Sequence, residues 1–149
     1  LPNWCSNHAS IEHKDPAAIQ RIEDAFNGKG LFQEFLPINV GDGPDVAIAH
    51  WGTKWDVNSE DGDADRVSPT QIILNFNTAW KEPDGFYRAL VEQEYDVEAS
   101  YFEPGMAFAG EFKNGSEAVY EGDPLTFPDD IRETFGIDEM HEEGDEEDA

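Results

Sequence analysis

From Trp4 to Glu12 small or apolar positions (Cys5, Asn7, Ala9, Ile11) alternate with polar ones (Ser6, His8, Ser10, Glu12), and a period of two predicts a half-buried strand. The period then lengthens. Asp15 can cap, Pro16 suits the first helical position, and Ile19, Ile22 and Phe26 recur at i, i+3 and i+7 before Gly28, so a helix is expected over about 15–27. Residues 31–38 and 46–51 are short apolar runs separated by Gly41-Asp42-Gly43-Pro44 and read as strands. The stretch Ser59-Glu60-Asp61-Gly62-Asp63-Ala64-Asp65 has no apolar period and reads as a mobile loop. Alternation returns at Ile72, Leu74 and Phe76. Pro83 and Asp84 open a second helix with the stripe Phe86, Tyr87, Leu90 and Val91, ending near Glu94.

Val97, Ala99 and Tyr101 begin another alternating run, which turns at Pro104-Gly105. Phe108, Gly110 and Phe112 follow, and Asn114-Gly115 is a strong hairpin signal because both residues accept positive φ. Ile131 and Phe135, at i and i+4, predict a short helix over about 129–135 that docks back on the body. The order of elements predicts the α+β class, with a ferredoxin-like antiparallel sheet carrying two helices on one face. That domain is expected over residues 1–120. An acidic C-terminal extension, 121–149, follows, and its like-charge block from about 141 is expected to be disordered.

Charge narrows the function classes. Among 149 residues 34 are acidic and 9 basic, a net charge of −25, which repels nucleic acid and anionic membranes; neither is expected as a direct partner. Residues 121–149 hold 13 acids and Arg132 as their single base, leaving 21 acids and 8 bases, a charge of −13, in residues 1–120. The acidity therefore belongs to the fold as well as to the extension. A hydrophobic content of 38% with 12% aromatics is enough to build a core. Cys5 is the single cysteine, so no internal disulfide forms, and no apolar run approaches the ~18 residues of a membrane span or the flanks of a signal peptide. The expected compartment is the cytoplasm of a host cell.

The chemical motifs fail one by one. Asp61-x-Asp63-x-Asp65 has the spacing of a calcium loop, but Arg66 and Ile72 stand where its glycine and bidentate carboxylate belong. Cys5 and His13 fall on the opposite strand face from His8. No glycine-rich phosphate loop and no activated nucleophile is recognisable. No metal, cofactor or catalytic residue is expected, and the chain reads as a non-enzyme. What remains is aromatic: Trp51-Gly52-Thr53-Lys54-Trp55-Asp56, Asn77-Thr78-Ala79-Trp80 and Tyr101-Phe102-Glu103-Pro104-Gly105-Met106 each set large rings beside turn-forming polar residues. They either pack the core or converge at strand ends into one partly exposed patch.

These segments, with Pro2-Asn3-Trp4-Cys5-Ser6-Asn7 and the continuation Ala107-Phe108-Ala109-Gly110, resemble the YubB-like ferredoxin-fold proteins of phages and plasmids over residues 1–120. The resemblance implies a mobile-element origin and the ferredoxin-like fold, and it brings no catalytic residue. Leu1 in place of an initiator Met, Asn77 in place of an acid before Thr-Ala-Trp, and the acidic extension depart from the family pattern and point to specialisation by charge.

The leading expectation is a DNA mimic: an acidic phage protein that inhibits a basic host DNA-binding protein or nucleic-acid enzyme in anti-defence or host takeover. Alternate residues on a strand face recur every ~6.6 Å, comparable with neighbouring phosphates, and fixed charge steers a basic groove into contact. The expected partner surface takes Trp51, Lys54, Trp55, Asp56, Trp80, Phe102 and Glu103 from the aromatic segments. The acidic loop adds Glu60, Asp61, Asp63 and Asp65, and the extension adds Asp129, Asp130, Glu133, Asp138 and Glu139. The rival expectation is a ferredoxin-like binding module whose acids serve halophilic adaptation; acids would then cover every side, whereas a mimic concentrates them on one elongated face. An enzyme with Asp56 or Glu103 as base, and RNA recognition through sheet aromatics, are weaker alternatives.

Overall fold

The computed structural model describes residues 2–140; the block expected to be disordered from about 141 lies outside the described residues. Among the described residues six strands form one antiparallel sheet: β1 (Trp4–Glu12), β2 (Gly62–Ser68), β3 (Gln71–Ala79), β4 (Asp96–Glu103), β5 (Phe108–Lys113) and β6 (Ser116–Glu121), in the spatial order β2-β3-β1-β4-β5-β6. The helices are α1 (Pro16–Asn27), α2 (Leu31–Phe35), α3 (Pro44–Trp51), α4 (Asp84–Glu92) and α5 (Asp129–Phe135). The α+β class stands.

Burial follows the period of two. Ala9 and Ile11 of β1, Ile72, Leu74 and Phe76 of β3, and Val97 and Ala99 of β4 point to one face. Ile19, Ile22 and Phe26 of α1 and Phe86, Tyr87 and Leu90 of α4 pack onto them. Asp15 caps α1 by accepting from the Ala17 amide at 2.9 Å, as its sequence position predicts.

Three segments differ from expectation. Residues 31–38 and 46–51 are not strands: Leu31–Phe35 and Pro44–Trp51 are helical, and both join the same core through Leu31, Phe32, Phe35, Ala47 and Trp51. Pro44 opens α3 and Gly52, in the left-handed conformation, closes it. The sheet therefore carries four helices on this face instead of two. The expected mobile loop is half strand: Gly62–Ser68 pairs with β3, and a Cβ on Gly62 would meet the Asn75 carbonyl oxygen at 1.9 Å, so the edge strand approaches more closely than any other residue permits.

The other face is covered at one end. Phe102 and Ala109 pack with Phe127, Ile131 and Ile137, which docks α5 against β4 and β5 as the i, i+4 pattern predicts. Among the described residues the remainder of that face, over β2, β3, β1 and the start of β4, is left uncovered.

Candidate functional site

The aromatic segments meet at the end of the sheet where β1 begins and β3 and β4 finish. Trp4 pairs with Ala79 in register, and its ring lies 6.2 Å from that of Trp55. The Trp80 amide donates to the Asn3 carbonyl at 2.8 Å, and a left-handed backbone at Trp80 (φ 71°) turns the chain out of β3. Trp4, Trp55 and Trp80 are each about half exposed, and Met106 is still more open. Convergence is thus as the sequence suggests. Membership is not: Trp51 is buried, its indole N–H donating to the Leu36 carbonyl at 2.7 Å, and Phe102 is buried beneath α5.

The carboxylates of these segments hold backbone. Asp56 accepts from the amides of Phe32 (2.7 Å), Gln33 (3.0 Å) and Val57 (2.8 Å), which caps α2 from a distant loop. Burial raises its pKa, opposed by those same amides. Glu103 is fully buried and accepts from the amides of Gly105 and Met106 (2.8 Å), closing the β4–β5 turn. Both carboxylates are committed to backbone amides, and Glu103 is closed to solvent while Asp56 is half-buried at the rim of its loop.

Behind the aromatic end, Glu82 is buried. One carboxyl oxygen lies 3.6 Å from the Lys81 ammonium, and Oε2 has no hydrogen-bond partner among the described residues. Burial, foremost, pushes Glu82 up to about 7; Lys81 opposes this, and the charges of Glu117 and Asp84 add to it. Burial likewise pushes the Cys5 thiol up, which leaves it inert as a nucleophile.

The acids sort by face. Asp63 and Asp65 project from β2, and Glu12, Asp96 and Glu98 from β1 and β4, onto the open side. Asp65, Ile73, Ser10 and Glu98 form one cross-strand row, and Asp63, Asn75, His8, Ser100 and Glu111 form the next. At ~4.8 Å per strand the carboxylates of the first row stand about 14 Å apart and those of the second about 19 Å. Ile73, Asn75 and Asn77 of β3 and Ser6, His8 and Ser10 of β1 separate them with no Asp, Glu, Lys or Arg. Glu111 is pushed up to about 7, first by a hydrogen bond with the Asp130 carboxyl of α5, then by burial and the Asp130 charge. Lys113 is the one cation on the strands of this face and is paired with Glu98 at 3.1 Å.

Of the other expected acids, Glu60 is exposed and Asp61 caps its own turn by accepting from the Asn58 amide at 2.9 Å. Asp129 and Asp138 pair with Arg132, while Glu133 and Glu139 are exposed. Acids are not confined to the open face: Glu23, Asp24, Glu34, Asp45, Asp84 and Glu92 lie on the helices of the other side, interspersed there with Arg21, Lys29, Lys54, Lys81 and Arg88. The acids of β4 and β5, Asp96, Glu98 and Glu111, were legible as same-phase residues of alternating runs, yet the sequence reading passed over them.

On the helical side lies a cleft of about 1010 Å³ between α1, α2, α3 and the 52–56 loop. Among the described residues no helix is long and apolar enough to cross a membrane, and no group of three or more His, Cys, Asp or Glu is placed to hold a metal.

No protein-family model matches the chain, and no curated protein matches it. Among solved structures it is similar to the protein api92 from Yersinia pseudotuberculosis, of the family model DUF1281. The identity is 17% and the TM-score 0.41, with 54% of this chain and 31% of that one covered. The chain spans less than a third of the length of that structure.

Proposed function

We propose that this chain is a non-enzymatic binding protein whose open sheet face stands in for DNA phosphates in the cationic groove of a host DNA-binding protein or nucleic-acid enzyme, inhibiting it. The observation behind this reading is the pair of carboxylate lines, Asp63 and Asp65 on one side and Asp96 and Glu98 on the other, flanking a strip (residues 6–10 of β1 and 73–77 of β3) without Asp, Glu, Lys or Arg. Across the Asp65–Glu98 row the separation, about 14 Å at ~4.8 Å per strand, is of the order of a major groove, about 12 Å wide. Trp4 on the same face, with Trp55 beside it, supplies the apolar contact that charge lacks. The order β2-β3-β1-β4, with helices in both crossovers, supports a ferredoxin-like core; the YubB-like, mobile-element kinship and the host cytoplasmic setting are proposed from the sequence resemblance.

The test is affinity capture from host lysate with two variants of equal charge loss. Neutralising Glu12, Asp63, Asp65 and Glu98 on the open face should release a basic partner. Neutralising Asp24, Asp42, Asp45 and Glu92 on the helical side should retain it, and duplex DNA should compete it off the wild type. Equal behaviour of the two variants would refute the reading. The acids on the helical side favour a second reading, halophilic adaptation of a binding module; it expects stability to rise through molar salt with no partner captured.

A further inference from the structure

The helical-side cleft has a chemistry the open face does not share. Its carboxylates are already engaged: Asp24 accepts from the Gln20 amide nitrogen at 2.9 Å, Glu34 pairs with Arg21 at 2.9 Å, and Asp56 is held by the backbone amides of α2 and its own loop. Gln33 is spent as well, donating to the Ile38 carbonyl and accepting from the Ile38 amide. Two lining cations make no ion pair. Among the described residues, Lys29 and Lys54 have no carboxylate within 4.0 Å, and the Lys54 ammonium lies over the Trp55 ring at 4.2 Å. Ala25, Ile38, Pro44, Ala47 and Trp51 give the same cleft an apolar wall.

In a molecule of net charge −25, this places two ammonium groups without a carboxylate partner in the lining of a cleft with an apolar wall. The volume is at the upper end of ligand clefts, about 300–1,000 Å³. We infer that the cleft binds a small amphiphilic organic anion, its ring or aliphatic body against Trp51, Ala47 and Ile38 and its carboxylate, sulfonate or phosphate head between Lys29 and Lys54. A cationic ligand would face Arg21, Lys29 and Lys54, while of the lining carboxylates Glu34 is already paired with Arg21 and Asp56 is held by backbone amides. A neutral one would leave both lysines as they are. The cleft shares Trp55 with the proposed partner surface but none of its carboxylate lines, so the probe titration reads it apart from partner capture.

The full chain is titrated with two fluorescent probes of the same aromatic body, 1-anilinonaphthalene-8-sulfonate and uncharged N-phenyl-1-naphthylamine, with emission excited through tryptophan. One saturable site for the sulfonate is expected. Lys29→Gln with Lys54→Gln should weaken the sulfonate at least tenfold and the neutral probe less than twofold. Lys14→Gln with Lys113→Gln, which changes the net charge equally away from the cleft, should alter both less than twofold. Absence of saturable binding, equal loss of both probes, or a matching loss in the control pair would overturn the inference.

Discussion

Replacing Glu82 by Gln should make the protein more stable in alkaline than in acidic solution relative to the parent, an unusual sign for a carboxylate. Burial and neighbouring acids raise its pKa from 4.5 to about 7 in the folded chain, while the unfolded chain keeps the ordinary value. Between those two pH values the native state retains a proton the unfolded state has released, so stability falls as pH rises. The contribution is fully present below about 4.5 and lost on passing through about 7. A displacement of this size, at 1.36 kcal/mol per unit, corresponds to about 3 kcal/mol above pH 7.5. Gln keeps the shape and removes the charge, and Lys81 retains Asp84 at 2.9 Å. Paired urea titrations of parent and variant at pH 5 and pH 8.5 cancel the general effect of the other acids. The variant should gain about 3 kcal/mol at pH 8.5, or about 6–12 °C in Tm for a domain of this size, and less than ~1 kcal/mol at pH 5. A gain that is no larger at pH 8.5 than at pH 5 would refute the account of Glu82 as a buried, under-paired acid.

Asp56→Ala should cost about 1–3 kcal/mol in urea unfolding, because three backbone amides lose their acceptor together. The two tryptophans that bracket the same loop should separate cleanly: Trp51→Ala costs about 3–5 kcal/mol, whereas Trp55→Ala stays folded and loses less than ~1 kcal/mol while weakening partner capture. Gly85→Ala should destabilise by about 3 kcal/mol or prevent folding, since a Cβ there would stand 1.7 Å from the His50 carbonyl oxygen where α4 crosses α3; thermal melts decide it. Deleting residues 141–149 should weaken capture of a basic partner only in part, read by salt titration, because a charge of −13 resides in residues 1–120; total loss would transfer the activity to the tail.

The elements legible in the sequence are those whose burial has one period. β1, β3 and β4 alternate cleanly, and α1 and α4 carry full stripes with recognisable starts. α2 is five residues with apolar positions 31, 32 and 35, a pattern a short strand also shows, and its capping oxygens come from Asp56, a residue that local reading cannot connect to it. For α3 the signals were present in Gly43-Pro44 and Gly52, but a continuous apolar run masked the helical spacing. β2 is a strand only because β3 pairs with it; Gly-Asp-Ala-Asp has little strand preference of its own. The same division holds for the site. The meeting of the tryptophan segments follows from their places at strand ends, whereas the backbone-capping duties of Asp56 and Glu103 depend on amides that only the folded chain brings near.

β2 borders the sheet, so its outer row of amides and carbonyls has no strand beside it. Such a rim invites a neighbouring molecule to zip on, the first step toward a fibril, and side-chain charge is the usual deterrent. Asp63 and Asp65 stand on that rim with their carboxylates in water, and any copy docking there in the antiparallel sense would bring its own aspartates against them. Acidity that makes the molecule harder to fold therefore also keeps its copies apart, and neutralising those two positions would trade repulsion for adhesion.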